Sequence, residues 1–163
     1  MRNKKVLFVA QAALIAAIYV VLTYFVSAFH LASGAIQVRI SEALTILPFF
    51  TPAAIPGLAI GCLLSNLLTG CLPMDVVFGS LATFLGAVGS YLLRRYKWLV
   101  PLPPVVANTV IVPYVLAYVY GAEGTIPFFM LTVGIGEVIS CYVLGGILLN
   151  ALLPYRNVIF KSY

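Results

Sequence analysis

Four acidic side chains, Glu42, Asp75, Glu123 and Glu137, stand in a chain of 163 residues that is 63% hydrophobic and 8% charged. Glu137 is the most exceptional of them. It falls about ten residues into an apolar run over 127–153, roughly 15 Å from its start at 1.5 Å per residue. A charge near the centre of a bilayer costs about 2.5–3.5 kcal/mol on insertion scales, and groups kept there generally serve a pathway or a pocket. On a helix its neighbours at i−3, i+3 and i+4 are Gly134, Ser140 and Cys141. That face is small and partly polar, which leaves space for a guest beside the carboxylate. A protonated or paired carboxylate bridging two helices is the alternative.

Glu42 lies in the segment VRISEALTILPFFTPAAIPG, with Arg39 three residues before it. On one helical face the two can pair, and an acid is also favoured at a helix N-terminus. Both residues are candidates for ligand contact or gating. Asp75 follows Pro73 and Met74 and opens a helix, so it serves either as a cap or as a ligand contact. Glu123, between two glycines, is a solvated loop residue. Asn66 and Asn108 are candidate pocket residues, or hydrogen-bond a neighbouring helix. Tyr114 and Tyr118, four apart, can share one face and stack on a ring, although tyrosines also populate interfacial belts.

Much chemistry is excluded. There is no G-x-x-x-x-G-K-[ST] for ATP hydrolysis, and no H-E-x-x-H, C-x-x-C or G-x-S-x-G. A single histidine, His30, sits in an outer loop, so a histidine-based metal centre or protease is not expected. Three cysteines make no disulfide framework. Cys62 and Cys71, read as lying on one continuous helix, would be about 13 Å apart, too far to bridge. No catalytic residue, metal or cofactor is assigned. Solute binding or conduction fits isolated polar groups in an apolar bundle better than catalysis does.

The elements that hold these groups are membrane helices. Soluble domains are about 45–50% apolar and about 25% charged; this chain, with a mean hydropathy of +1.13, has too few polar groups to cover a soluble fold. The pattern predicts one six-helix transmembrane bundle over 1–163, with helices at about 6–29, 39–50, 53–70, 75–95, 101–120 and 127–153. The first run is too long for the core of a cleaved signal peptide. Pro48, Pro52 and Pro56 set a tight turn at 49–53, since proline removes a donor and stops helices. The basic residues cluster as Arg2, Lys4, Lys5; Arg94, Arg95, Lys97; and Arg156, Lys161. The positive-inside rule puts all three clusters, and both termini, in the cytoplasm of a cell membrane. The net charge of +5 therefore reports orientation and not nucleic-acid binding. Glu42, Asp75 and Glu123 fall on the opposite, outer side, where Arg39 is the only fixed cation. Such a face attracts a cationic or hydrogen-bond-donating solute.

Two patterns of small residues concern packing. Ala12/Ala16 and Ala13/Ala17 give overlapping A-x-x-x-A spacings on the first helix, which let another helix come close. Gly79, Ala82, Gly86 and Gly89 form a stripe on the fourth, explained by internal packing.

The six short helices, the alanine spacings, the missing ATPase motif and the stretch VRISEALTILPFFTPAAIPGLAIGCLLSNLLTG resemble the substrate-binding S components of energy-coupling factor transporters. RISEALTILP resembles more specifically the QueT family of queuosine-precursor S components. The resemblance implies a subunit that binds a vitamin-like or nucleobase-like solute near its outer face, with a gate at about 30–39. It implies that Ala12, Ala13, Ala16 and Ala17 dock on a transmembrane coupling protein, and that two cytoplasmic ATPase subunits supply the energy. The implied ligand is a deazaguanine base carrying an aminomethyl group. Glu137 would accept hydrogen bonds from its guanine-like edge, and Glu42 or Asp75 would neutralise the amine. Two alternatives stay open: an S component for another base or vitamin, and a small stand-alone channel or carrier.

Overall fold

The computed structural model describes residues 4–28 and 38–160. His30, Arg2 and Lys161, and all but the last two residues of the expected gate at 30–39, lie outside the described residues. Every element among the described residues is helical, with no strand.

Helix α1 (Lys4–Ala28) is long and apolar enough to cross a bilayer. After it comes a 3₁₀ helix, Ile40–Phe49. Then follow α2 (Ala54–Leu68), α3 (Pro73–Leu92) and α4 (Leu102–Tyr118). The last span is composite: α5 (Ile126–Glu137), a π-helical turn at Val138–Leu144, and α6 (Gly145–Leu152). Four stretches have the length and hydropathy of full spans: Lys4–Ala28, Pro73–Leu92, Lys97–Tyr118 and Ile126–Ile159. The 3₁₀ helix and α2 are apolar but shorter. Among the described residues six helical segments thus stand where six were expected, the second of them short as expected, and four of the six have the length of full spans. At about 2.0 Å per residue the ten residues of the 3₁₀ helix cover roughly 20 Å, less than the roughly 30 Å hydrocarbon thickness.

That short element is the axis of the molecule. It touches α1, α2, α3, the π turn and α6, while the α-helices from α1 to α5 pack on their neighbours in chain order. Residues 41–48 are all buried. A 3₁₀ helix eclipses residues three apart, which aligns Glu42, Thr45 and Pro48. The Thr45 hydroxyl donates to the Glu42 carbonyl at 2.6 Å, tightening the coil. Pro48, lacking an N–H, sits near its end. The expected turn follows, with Phe50 and Thr51 amides bonded to the Leu47 carbonyl and the Thr51 hydroxyl donating to Gln11 at 3.0 Å.

Close approach of small residues fixes the helices around that axis. A Cβ placed on Gly57 would lie 2.8 Å from the Ala12 carbonyl oxygen, and one on Gly61 would lie 3.1 Å from the Ala16 Cα. Ala12 and Ala16 are thus occupied within the chain, against α2. Ala13 and Ala17 lie on the exposed side of α1. The alanine spacings therefore divide between an internal seam and an open face. On α3, a Cβ at Gly86 would lie 2.7 Å from the Pro104 Cα, so the Gly86 and Gly89 end of the glycine stripe packs on the opening turn of α4. Helix α2 ends at Leu68, and Gly70, at φ 75°, turns the chain away in the left-handed region open to glycine. Cys71 is therefore not on the same helix as Cys62, and all three cysteines are free.

Gly61→Val should destabilise the protein by about 1–3 kcal/mol, as overpacking does, because its Cβ would also press to 2.8 Å on the Tyr19 Cβ. A lowered thermal midpoint in detergent is expected; an unchanged one would mean that α1 and α2 are not held at this distance.

Candidate binding site

The 3₁₀ helix carries Glu42 into the centre of the bundle, where its side chain is 1% exposed. The Tyr19 hydroxyl, from α1, donates to Glu42 Oε1. Glu42 Oε2 is buried with no hydrogen-bond partner among the described residues. Glu137 approaches from the end of α5, also buried. There the helix widens into the π turn, a feature common at functional sites. The Cys141 thiol reaches Glu137 Oε2 at 3.4 Å and the Glu42 carbonyl oxygen at 3.7 Å, and the Thr45 hydroxyl, whose hydrogen goes to the Glu42 carbonyl, lies 3.5 Å from the Cys141 sulfur. Asn108, from α4, is buried with its amide facing the Glu137 carboxylate, but its Nδ2 closes no full hydrogen bond among the described residues.

Carboxylate oxygens of Glu42 and Glu137 and the Cys141 sulfur lie within 4.8 Å of one another. These are donor types that hold metals, yet Tyr19 and Cys141 both direct hydrogens at the two carboxylates. Beside the two carboxylates an acceptor, Glu42 Oε2, and a donor, Asn108 Nδ2, stay open; a third buried orphan, Thr109 Oγ1, lies apart, against Gly134. Orphaned buried polar groups cost about 1–3 kcal/mol each. A ligand offering an N–H and a carbonyl satisfies the first two.

Beside this cluster, toward the turn that joins α2 to α3, lie two cavities. One of about 180 Å³ is polar, lined by Thr23, Ser27, Arg39, Ser41, Asn66, Thr69 and Cys71 among others. The other, of about 340 Å³, is lined by Arg39, Cys71, Asp75, Val115, Leu116 and Tyr120 among others. Asp75 makes no capping bond within its own helix; the Tyr120 hydroxyl donates to its Oδ2 at 2.8 Å and accepts from the Leu72 amide at 3.3 Å. Burial, and then the bond to Asp75, push the Tyr120 hydroxyl above the ordinary tyrosine range, so it stays a donor. Asn66 Nδ2 reaches the Cys62 sulfur at 3.6 Å. Gly79 separates Asn66 from Asp75: a Cβ there would lie 3.0 Å from Asn66 Nδ2 and 3.4 Å from Asp75 Oδ1.

Of the sequence candidates, Glu42, Glu137 and Asn108 meet in the central cluster, and Arg39, Asn66 and Asp75 line the cavities beside it. Arg39 and Glu42 form no ion pair among the described residues; what Arg39 shares with Glu42 is a backbone bond, Glu42 N–H to the Arg39 carbonyl, at 3.0 Å. Tyr114 and Tyr118 stand apart. Their rings stack on each other at 6.3 Å and are 46% and 76% exposed, in an apolar groove with Met74 and Phe78. The residues missed from sequence are Tyr19, Ser41, Thr45, Cys141 in its bonding role, and Tyr120. Tyr19 carried a signal, because it continues the Ala12–Ala16 seam by three residues and sets a polar tip on a buried stripe.

A multi-pass helical membrane protein with polar, partly unsatisfied side chains at its centre and cavities beside them has the architecture of a solute transporter. Residues 9–154 match the sequence profile of the QueT transporter family, and the chain belongs to that family. It is 35% identical over 98 residues to the queuosine precursor transporter QueT of Lactococcus lactis subsp. cremoris (strain MG1363). That match takes in 60% of this chain and 57% of the relative, so it spans little more than half the relative's length. No solved structure matches.

Proposed function

We propose that the chain is the substrate-binding S component of an energy-coupling factor importer, and that it binds a queuosine precursor, a deazaguanine base carrying an aminomethyl group. The observation that carries this reading is the pair of orphaned groups, Glu42 Oε2 and Asn108 Nδ2, buried side by side with Glu137. A guanine-like edge offers N–H donors to the carboxylates, in charge-assisted bonds, and a carbonyl to the Asn108 amide. The aminomethyl group is cationic near neutral pH, and the acids Glu42, Glu137 and Asp75 outnumber the one base, Arg39, around the site. Asn66 and Asp75 line the approach. Tyr114 and Tyr118 face the surface groove and are not assigned to the ligand. Ala13 and Ala17 form the docking face for the coupling protein, with ATP hydrolysis supplied by its two ATPase partners.

Competition binding to the purified chain tests the substrate class. The aminomethyl base should displace a bound tracer, while pyrimidines and B vitamins should not; displacement by a vitamin alone would overturn the reading.

Gly79→Val should weaken binding by about threefold to tenfold, roughly 0.7–1.4 kcal/mol, with little loss of folding. Its side chain would push Asn66 and Asp75 apart in the cavity wall. Equal affinity in calorimetry would remove that wall from the site.

A further inference from the structure

Arg39 is fixed at its backbone and, among the described residues, unfixed at its tip. Its amide donates to the Ser140 hydroxyl at 3.2 Å, and its carbonyl accepts from the Glu42 amide at 3.0 Å. The guanidinium lies within electrostatic reach of Glu42, Asp75 and Glu137. Yet among the described residues it closes no hydrogen bond or ion pair with any of them. The residue is half-buried, and it lines both cavities, with Cys71 as the other shared wall residue. A cation is thus suspended where two cavities meet beside a buried carboxylate oxygen with no partner among the described residues.

We propose that Arg39 is a tethered counter-cation that holds the place of the ligand's ammonium group: a cationic ligand displaces the guanidinium, joins the two cavities and takes over the neutralisation of the acids. Two observations favour displacement over ordinary ligand contact. The acids draw a positive charge into this space, and like charges in a partly desolvated cavity exclude each other. The backbone bonds to Ser140 and Glu42 also let the side chain leave without unwinding the 3₁₀ helix. Arg39 then sets specificity by charge. A neutral base of the same shape brings no cation to replace it and binds with Arg39 still in place. The inference rests on the proposed function only in taking the ligand to be a cationic base.

The test compares two probes, a deazaguanine with an aminomethyl group and the same base with a nitrile, on wild type, Arg39→Gln and Arg39→Lys. A closed latch lowers apparent affinity by the fraction of open molecules. Arg39→Gln should therefore bind the aminomethyl base roughly tenfold more tightly, with no gain for the nitrile base. Arg39→Lys, which keeps the charge without the planar fork, should fall between. A second readout needs no ligand. Cys71 is half-buried while Cys62 and Cys141 are buried, so small thiol reagents select it. Arg39→Gln should raise the rate of a cationic methanethiosulfonate relative to an anionic one several-fold. If Arg39→Gln weakens both bases alike, Arg39 is a ligand contact and the latch is overturned; so it is if affinities and thiol rates are both unchanged. If neither base binds wild type while the thiol ratio still depends on Arg39, the substrate reading falls and the displaceable cation stands.

Discussion

Glu137→Gln should lower affinity for the aminomethyl base roughly ten- to hundredfold while leaving the fold intact. The substitution keeps the shape of a buried side chain and puts an N–H donor in place of a carboxylate oxygen. In the protein, Glu137 Oε2 already faces the Cys141 thiol, and the Asn108 amide lies close by. An amide in place of the carboxylate turns an N–H toward one of these donors or toward the N–H groups of the ligand. A hydrogen bond to a charged group contributes about 1.5–3 kcal/mol, which is roughly the stated range in affinity. Titration calorimetry checks it, with the thermal midpoint as the control for folding. Unchanged affinity in a folded variant would take Glu137 out of the site.

Replacing both Ala13 and Ala17 by tryptophan should abolish uptake in cells and leave base binding to the purified chain nearly intact. These two alanines lie on the exposed face of α1, whereas Ala12 and Ala16 are pressed against Gly57 and Gly61. The open face can admit a partner backbone only while its side chains are small. Two indole rings would hold a coupling helix away without touching the interior. Ala16→Leu gives the contrast: it strikes α2 and should lower the thermal midpoint. Co-purification with the coupling protein, binding and uptake are the three readouts. Normal assembly and uptake by the tryptophan variant would refute the docking role. Transport by the purified chain alone in vesicles would favour the stand-alone carrier instead.

The apolar segments were legible because residue type alone decides whether a helix sits in lipid. The observed bounds of α2, α3, α4 and the composite last span fall within a few residues of those expected. Glu137 and Asn108 were legible as polar residues that must be buried. The form of the Ile40–Phe49 segment was not. Glu42, Thr45 and Pro48 fit one face of an ordinary helix about as well, and the tighter coil follows from threading between α1, α2, α3 and the last span. The partner of Glu42 was hidden for the same reason, since a hydrogen bond from Tyr19 depends on how closely Gly57 and Gly61 let α1 approach. The spacing of Tyr114 and Tyr118 identified a shared face correctly, but a period says nothing about which way the face points, and this one points outward. Asp75 was legible as the first-turn acid of a helix, yet its bond to Tyr120 joins residues 45 apart in sequence and has no local signature.

The most direct measurement is mass spectrometry of small molecules retained on the purified protein, followed by calorimetry with the molecule identified. The expected molecule is a deazaguanine base bearing an aminomethyl group, bound by the wild-type chain and lost from Glu137→Gln. Retention of a different vitamin or a pyrimidine, bound equally well by both forms, would contradict that assignment.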